Sequence, residues 1–404
     1  MGHRRNQRFL IHTSLFITNE FIGGSANEKK DGGLPIMKRI VSLILVLCMV
    51  IAGAALAENK WNSAELAEEG KIWKIAMSNN FIGNDWRQNM EAVTQMVAAD
   101  PYYANQCTVD IIECDNDPES QTASIDAIVE MGYDAILVDS SSVTGIDNAL
   151  MRAEQAGLAV VVFDQVVTTD HFVKIETDWA AVARLCAEFI AEACDYKGNW
   201  VLDIGLNGSA TGAAMSDAAE AWMKENAPEM VEVATFEGQF AEAPAEEAIA
   251  SAMAANSQID AVFSQGYVNC IARQFRNAGK KIPVITGGGA NGTGIDVLAN
   301  GDYDVLQWLV NWPGLGAVAM EYALQMLNGQ VPEEKHILMG GVWLTNRKDL
   351  TDKIGGELAE AYEYVEGETV FSNYTPAYEA WVLPADFPVQ INMEELVERQ
   401  KSFH

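Results

Sequence analysis

Ala135-Ile136-Leu137-Val138-Asp139, then an amphipathic stretch Val143–Ala156 stopped by Gly157, then Leu158-Ala159-Val160-Val161-Val162-Phe163-Asp164-Gln165, is the passage whose reading decides the fold. Two short apolar, β-branched runs flank a segment of helical period, which is the pattern of a parallel βαβ unit. Runs this uniformly apolar suit strands covered on both faces of a sheet. Each run ends on a carboxylate, Asp139 and Asp164. In open parallel sheets, ligands bind beyond the carboxyl ends of the strands.

Upstream, Ile72–Met77 and Thr108–Glu113 read as strands, and Asp85–Ala99 and Pro118–Met131 as helices. Trp86, Met90, Val93 and Val97 fall on one face of the helix Asp85–Ala99. A break is expected near Thr168–Asp178, after which the alternation starts again. Asp178–Cys194, Ala210–Asn226, Ala243–Ala255 and Tyr267–Ala278 read as helices, between strands at Trp200–Ile204, Val231–Thr235, Ala261–Ser264 and Val284–Thr286. Pro313–Leu327 is a later helix, and the chain from Gly341 has less regular patterning. The fold class is therefore α/β, with two doubly wound Rossmann-like lobes on parallel sheets.

Met37-Lys38-Arg39, the apolar run Ile40–Ala52 and Ala55-Leu56-Ala57 have the three parts of a secretory signal peptide. The run is shorter than the about 20 residues that span a bilayer. Cleavage after Ala57, with Glu58 as the first mature residue, and a periplasmic or secreted location are expected. Residues 1–36 are read as an extension ahead of the true start at Met37, and Gly32-Gly33 can be encoded by a ribosome-binding sequence.

With 57 Asp and Glu against 26 Lys and Arg, the formal net charge is −31. Such a field repels phosphate backbones and anionic lipid surfaces, so nucleic acid is not an expected partner. Cys107, Cys114, Cys186, Cys194 and Cys270 follow Ala57 at irregular spacing, neither a disulfide framework nor a zinc pattern. No metal ligand set, cofactor or catalytic residue is assigned, and an enzyme is not expected. The G-x-S-x-G, H-E-x-x-H and Cys–His arrangements are missing from the sequence. Asn207-Gly208-Ser209 and Gly287-Gly288-Gly289 match no phosphate-binding fingerprint and read as tight turns. The strand ends instead collect carboxylates, amides and aromatics, which suit a hydroxyl-rich ligand.

Five segments in order carry a resemblance. They are Lys74-Ile75-Ala76-Met77-Ser78-Asn79-Asn80, Tyr133–Asp139, Val161-Val162-Phe163-Asp164-Gln165, Asp260-Ala261-Val262-Phe263-Ser264-Gln265 and Asn311-Trp312-Pro313. Over roughly residues 71–352 the chain resembles the periplasmic sugar-binding proteins of ABC transporters, of the ribose-binding type. The resemblance implies a type I periplasmic-binding-protein architecture with a multi-crossing hinge. Its lobes would be 70–177 with 312–335, and 178–311 with 336–404 including the tail, with crossings near Thr177-Asp178, Asn311-Trp312 and 335–342. It also implies capture of a sugar or related polyol by hinge closure, delivery to an ABC transporter membrane permease, and a monomer.

Carried over residue by residue, Asp164 matches a ring-hydroxyl-binding aspartate, and Gln165 stands where ribose binders carry arginine. Asn311 matches a hinge-side amide, and Asp139 a position sometimes in contact. Trp86-Arg87 resembles the Trp-Arg pair of some furanose and hexose binders, where Trp stacks on the ring and Arg donates to its oxygens. Asn80, at the first strand's end, joins this half of the site. The second half departs from the family. Gln265-Gly266-Tyr267 replaces Gln-Asn-Asp, and Gly287-Gly288-Gly289 replaces Phe-Asp-Gly. Gln265, Tyr267, Asn269 and Asn291 are expected to supply a different second wall. The competing readings are a secreted carbohydrate hydrolase using Asp139 and Asp164, and a sensor of the same fold presenting its ligand to a receptor.

Overall fold

A computed structural model describes residues 61–289, 291–340, 342–351, 353–354, 363–365, 383–384, 386–391 and 395–396. The signal-peptide segment Met37–Ala57 and the extension 1–36 lie outside them. In chain order the strands are β1 (Trp73–Asn79), β2 (Cys107–Glu113), β3 (Ala135–Asp139), β4 (Ala159–Phe163), β5 (Val173–Thr177), β6 (Lys197–Asp203) and β7 (Glu229–Phe236). They continue with β8 (Ala261–Ser264), β9 (Val284–Gly289), β10 (Gln307–Val310), β11 (His336–Met339), β12 (Val342–Thr345) and β13 (Glu363–Val365).

They form two sheets, ordered β11-β5-β4-β3-β1-β2 and β13-β12-β10-β9-β8-β6-β7. The first is parallel throughout. In the second, only β10 and β12 run antiparallel. Strand order reverses between β1 and β3 in one sheet and between β6 and β8 in the other. These are the two topological switch points, where the strand ends leave a crevice.

Helices cover both faces of each sheet. In the first lobe, Asp85–Ala99 and Leu315–Leu327 pack on one side through Met90, Val93, Val97 and Val318. Pro118–Glu130 and Asp147–Gln155 pack on the other through Ile125, Ile128 and Leu150. In the second lobe, Trp179–Ala193 and Ala210–Asn226 share a core with Trp200 and Phe263. Glu242–Ala255 and Val268–Asn277 close the opposite face around Ile249, Ile271 and Trp308. The helix Asp85–Ala99 has the bounds its periodicity predicts, because the Asn84 side chain caps it by accepting from Arg87 N at 2.9 Å.

Several boundaries differ from the sequence expectation. The predicted break contains a strand, β5, whose pattern Val173-Lys174-Ile175-Glu176-Thr177 alternates rather than staying apolar. Lys174 is buried there all the same, with its Nζ 2.9 Å from Asp170. The stretch Val143–Ala156 becomes helical only at Asp147. Gly287-Gly288-Gly289 is the end of β9 rather than a tight turn. A Cβ on Gly287, at φ +136°, would collide with the Ser264 carbonyl of β8.

The lobe boundary at 336 is also corrected. β11 pairs with β5 from His336↔Lys174 to Met339↔Thr177, so the chain leaves the first sheet only after Met339. The tail does not belong wholly to the second lobe either. Leu383, Phe387, Val389 and Leu396 are buried in the first lobe's core. The Phe387 ring lies 5.0 Å from that of Trp61. Three apolar rings (Trp61, Tyr103 and Tyr322) offer there a surface that the tail covers. Of the tail aromatics that could line the hinge, Tyr362, Phe371, Tyr374, Tyr378 and Trp381 lie outside the described residues, as does the side chain of Tyr364.

Candidate functional site

The first switch point is built from β1, β3, β4 and the helix Asp85–Ala99. Asn79 and Asp139 are register partners at the ends of β1 and β3. Asp164 follows β4 at φ +57°, a left-handed conformation that a short polar side chain tolerates. Its N–H donates to Ile175 O at 2.9 Å, which fixes the bend. The Asn84 cap places Arg87 in the helix's first turn, facing these strand ends.

Arg87 is the centre. Its Nη1 forms an ion pair with Asp139 Oδ2, and its Nη2 lies 3.2 Å from Asp164 Oδ2. Nη1 also donates to Asn79 Oδ1 at 3.3 Å. Arg87, Asp139 and Asp164 are 3%, 0% and 7% exposed, so the ion pairs are shielded from water. Burial pushes the Asp164 carboxyl up, against the pull of Arg87. The Arg87 guanidinium is lowered by the same loss of solvent, against the attraction of Asp164 and Glu91.

The other first-lobe candidates gather around this group. Asn80 is 1% exposed, and its Nδ2 donates to Asn116 Oδ1 and Ser140 O, each at 3.2 Å. Its Oδ1 is buried without a hydrogen-bond partner among the described residues. Trp86 is half-buried beside the Arg87 guanidinium, 5.4 Å from ring to cation, and its Nε1 also has no hydrogen-bond partner among the described residues. Gln165 N lies 3.4 Å from Asp139 Oδ1. Asn311, half-buried at the hinge, accepts a hydrogen bond from Thr177 Oγ1 at 2.8 Å.

In the second lobe, Gln265 is buried, and its Nε2 donates to Gly212 O at 2.9 Å and Ser216 Oγ at 3.0 Å. Its Oε1 is buried without a hydrogen-bond partner among the described residues. Tyr267 holds φ +37° at the start of the helix Val268–Asn277. The buried Asn269 accepts from Thr293 Oγ1 at 3.2 Å. Asn291 opens the helix Asn291–Asn300, and its side chain lies outside the described residues.

Sequence reasoning missed two residues. Glu91 is 3% exposed and accepts from Asn79 Nδ2 at 2.6 Å. Its spacing of four from Arg87 was the available signal. The other, Asp203, ends β6 at the second switch point. Its carboxylate accepts from Gly205 N and Gly238 N at 2.9 Å and from Gln265 N at 3.0 Å. Burial still pushes it up to about 6, although those hydrogen bonds act to lower it. Extending the strand reading to Ile204 hid a carboxylate at a strand end.

The fold agrees with the comparisons to known proteins. A family description, "Periplasmic binding protein domain", matches residues 75–330, more than half of the chain. The chain belongs to the periplasmic binding protein family. Among curated proteins it is similar to the ribose import binding protein of Bacillus subtilis, 24% identical over 161 residues, 39% of this chain and 50% of that protein. The chain thus spans about half the length of the curated relative it matches. A solved ABC transporter solute binding protein from Thermobispora bispora is 25% identical, with a TM-score of 0.62, covering 78% of this chain and 99% of that one. The arabinose ABC transporter's periplasmic binding protein from Shewanella sp. ANA-3, bound to L-arabinofuranose, shares the fold at 18% identity and a TM-score of 0.62, covering 69% of this chain and 94% of that one. The architecture is the type I periplasmic-binding-protein fold, shared with the Thermobispora bispora solute binding protein and with the fructose-binding periplasmic domain of a hybrid two-component system.

Proposed function

We propose that this protein captures a sugar or related polyhydroxylated molecule between its two lobes, outside the cytoplasmic membrane, and delivers it as a monomer to an ABC transporter permease. One observation carries the reading. A buried Arg87–Asp139–Asp164 cluster stands at a topological switch point beside polar atoms, Asn80 Oδ1 and Trp86 Nε1, that no group among the described residues satisfies. Buried polar groups normally have partners, and ligand hydroxyls, which donate and accept, are suitable ones. In this reading Asp164 and Asn80 accept from hydroxyls, Arg87 donates to ring oxygens, and Trp86 offers its indole edge and face. Gln165, Asp139 and Asn311 support the same wall, with Gln265 Oε1, Tyr267 and Asn291 on the other. The sugars bound by similar proteins support the ligand class, and the signal-like segment supports export.

A hydrolase is disfavoured by the same cluster. Glycoside hydrolysis needs two carboxyl groups with separate roles, whereas Asp139 and Asp164 both turn to one guanidinium. The test is a thermal-shift screen with pentoses, hexoses, polyols and nucleosides at millimolar concentration. Binding stabilises by RT ln(1 + [L]/Kd), so a micromolar ligand gives a clear rise in Tm. No rise with any of them defeats the capture reading, and turnover of a screened glycoside defeats the binding-only reading.

A further inference from the structure

Asn79 is an amide that could present either its oxygen or its NH2 to Arg87, and only one choice works, because arginine has donors alone. Its Nδ2 lies 2.6 Å from Glu91 Oε1. Its Oδ1 receives Arg87 Nη1 at 3.3 Å and Phe81 N at 3.4 Å. An ionised carboxylate accepts and cannot donate, so Glu91 draws the NH2 to itself and turns the oxygen toward the guanidinium. The opposite orientation would set NH2 against guanidinium and oxygen against carboxylate. Asn79 and Glu91 are 0% and 3% exposed, so water does not substitute for either partner. Glu91 stands one helical turn beyond Arg87, on a helix held at its start by the Asn84 cap.

We propose that Glu91 is a positioning residue for the ligand site, fixing the Arg87 guanidinium through the side-chain amide of Asn79. The arrangement makes the fixing sensitive to protonation. Glu91 is faced by Asn79 from β1, by Arg87 from its own helix and by Glu113 from β2. Burial, with Glu113 adding to it, pushes the Glu91 carboxyl up to about 7, against the Asn79 hydrogen bond and Arg87. A protonated Glu91 donates as well as accepts, and its hold on the amide's orientation lapses. The guanidinium is therefore held above about pH 7 and loosened below it.

The role in binding rests on the capture reading, while the contacts do not, so the experiment has two arms. In the first, side-chain 15N resonances of Arg87, assigned with Arg87→Lys, are followed from pH 5.5 to 8.5 in ligand-free protein. The wild type is expected to titrate with a midpoint near 7. Glu91→Gln, which like the protonated acid is neutral and both accepts and donates, is expected to leave Arg87 in the loosened state at every pH and to lose the titration. A titration that persists in Glu91→Gln overturns the proposal, whether or not Glu91→Ala folds. In the second arm, affinities for D-ribose, L-arabinose and D-galactose are measured by calorimetry. For any that binds, Glu91→Ala is expected to weaken it about ten-fold, within the range for a broken buried hydrogen bond, and Glu91→Gln, which keeps an acceptor but not the charge, to recover only part of that loss. An unchanged affinity in a folded Glu91→Ala protein overturns the role in binding. Failure of all three sugars to bind the wild type counts against the capture reading, and the resonances of the first arm still decide the positioning of Arg87.

Discussion

The two switch points carry the same kind of residue, an aspartate closing a central strand, and satisfy it in opposite ways. In the first lobe, Asp139 and Asp164 are neutralised by a side chain, Arg87. In the second, Asp203 is held by backbone: Gly205 N, Gly238 N and Gln265 N, with Ser264 Oγ at 3.4 Å. A guanidinium can share its donors with an incoming ligand, and around it Asn80 and Trp86 keep atoms that no described residue satisfies. Backbone donors locked in glycine loops cannot be redirected. A Cβ on Gly238 would stand about 2.5 Å from Asp203 Oδ2, so that wall is shaped by chain path. The aspartates of one switch point are held by a side-chain charge, and that of the other by the path of the chain.

This contrast is tested most severely at Arg87. Replacing it with Leu leaves two buried carboxylates without their counter-charge, and we expect a loss of about 3–5 kcal/mol in urea unfolding. A loss below about 1 kcal/mol would mean that the carboxylates find water or another donor. Asp203→Ala strands three backbone N–H groups, and the expected loss is about 3 kcal/mol by the same measurement. Asp203→Asn should recover part of it, since one amide oxygen still accepts.

The two lobes also predict a pH dependence. Asp203 is raised from 3.8 to about 6, so the folded state favours its protonated form. Its contribution is fully present below about pH 4 and is lost as pH rises through about 6. For Glu91, raised from 4.5 to about 7, the loss runs through about pH 7. Unfolding free energy should thus fall by about 2–3 kcal/mol from Asp203 alone between pH 4 and 7, since each tenfold change in proton affinity is worth about 1.4 kcal/mol. Urea midpoints across that range check this, and Asp203→Asn should flatten the slope. The smallest expected effect is on binding: Asp164→Ala should weaken a bound sugar by about 1–2 kcal/mol through a lost charge-assisted hydrogen bond. An unchanged Kd would remove Asp164 from the contact surface.

Local pattern in the chain was enough for β1 to β4, β6 to β9 and the main helices between them, the two-lobe α/β class, and the placing of Asp139, Asp164 and Arg87 at strand and helix ends. The period of apolar residues and the glycine stops each act over one or two turns, so each can be read in the chain alone. It took the folded molecule to bring Arg87 to both aspartates, to let Glu91 reach it through Asn79, to complete the first lobe with β11 and part of the tail, and to satisfy Asp203 with glycine N–H groups. Those facts depend on which strands become neighbours and on how each charge is compensated once water is excluded. The crossovers that set the first join residues far apart in the chain, and the second arises only on burial, so no local pattern records either one.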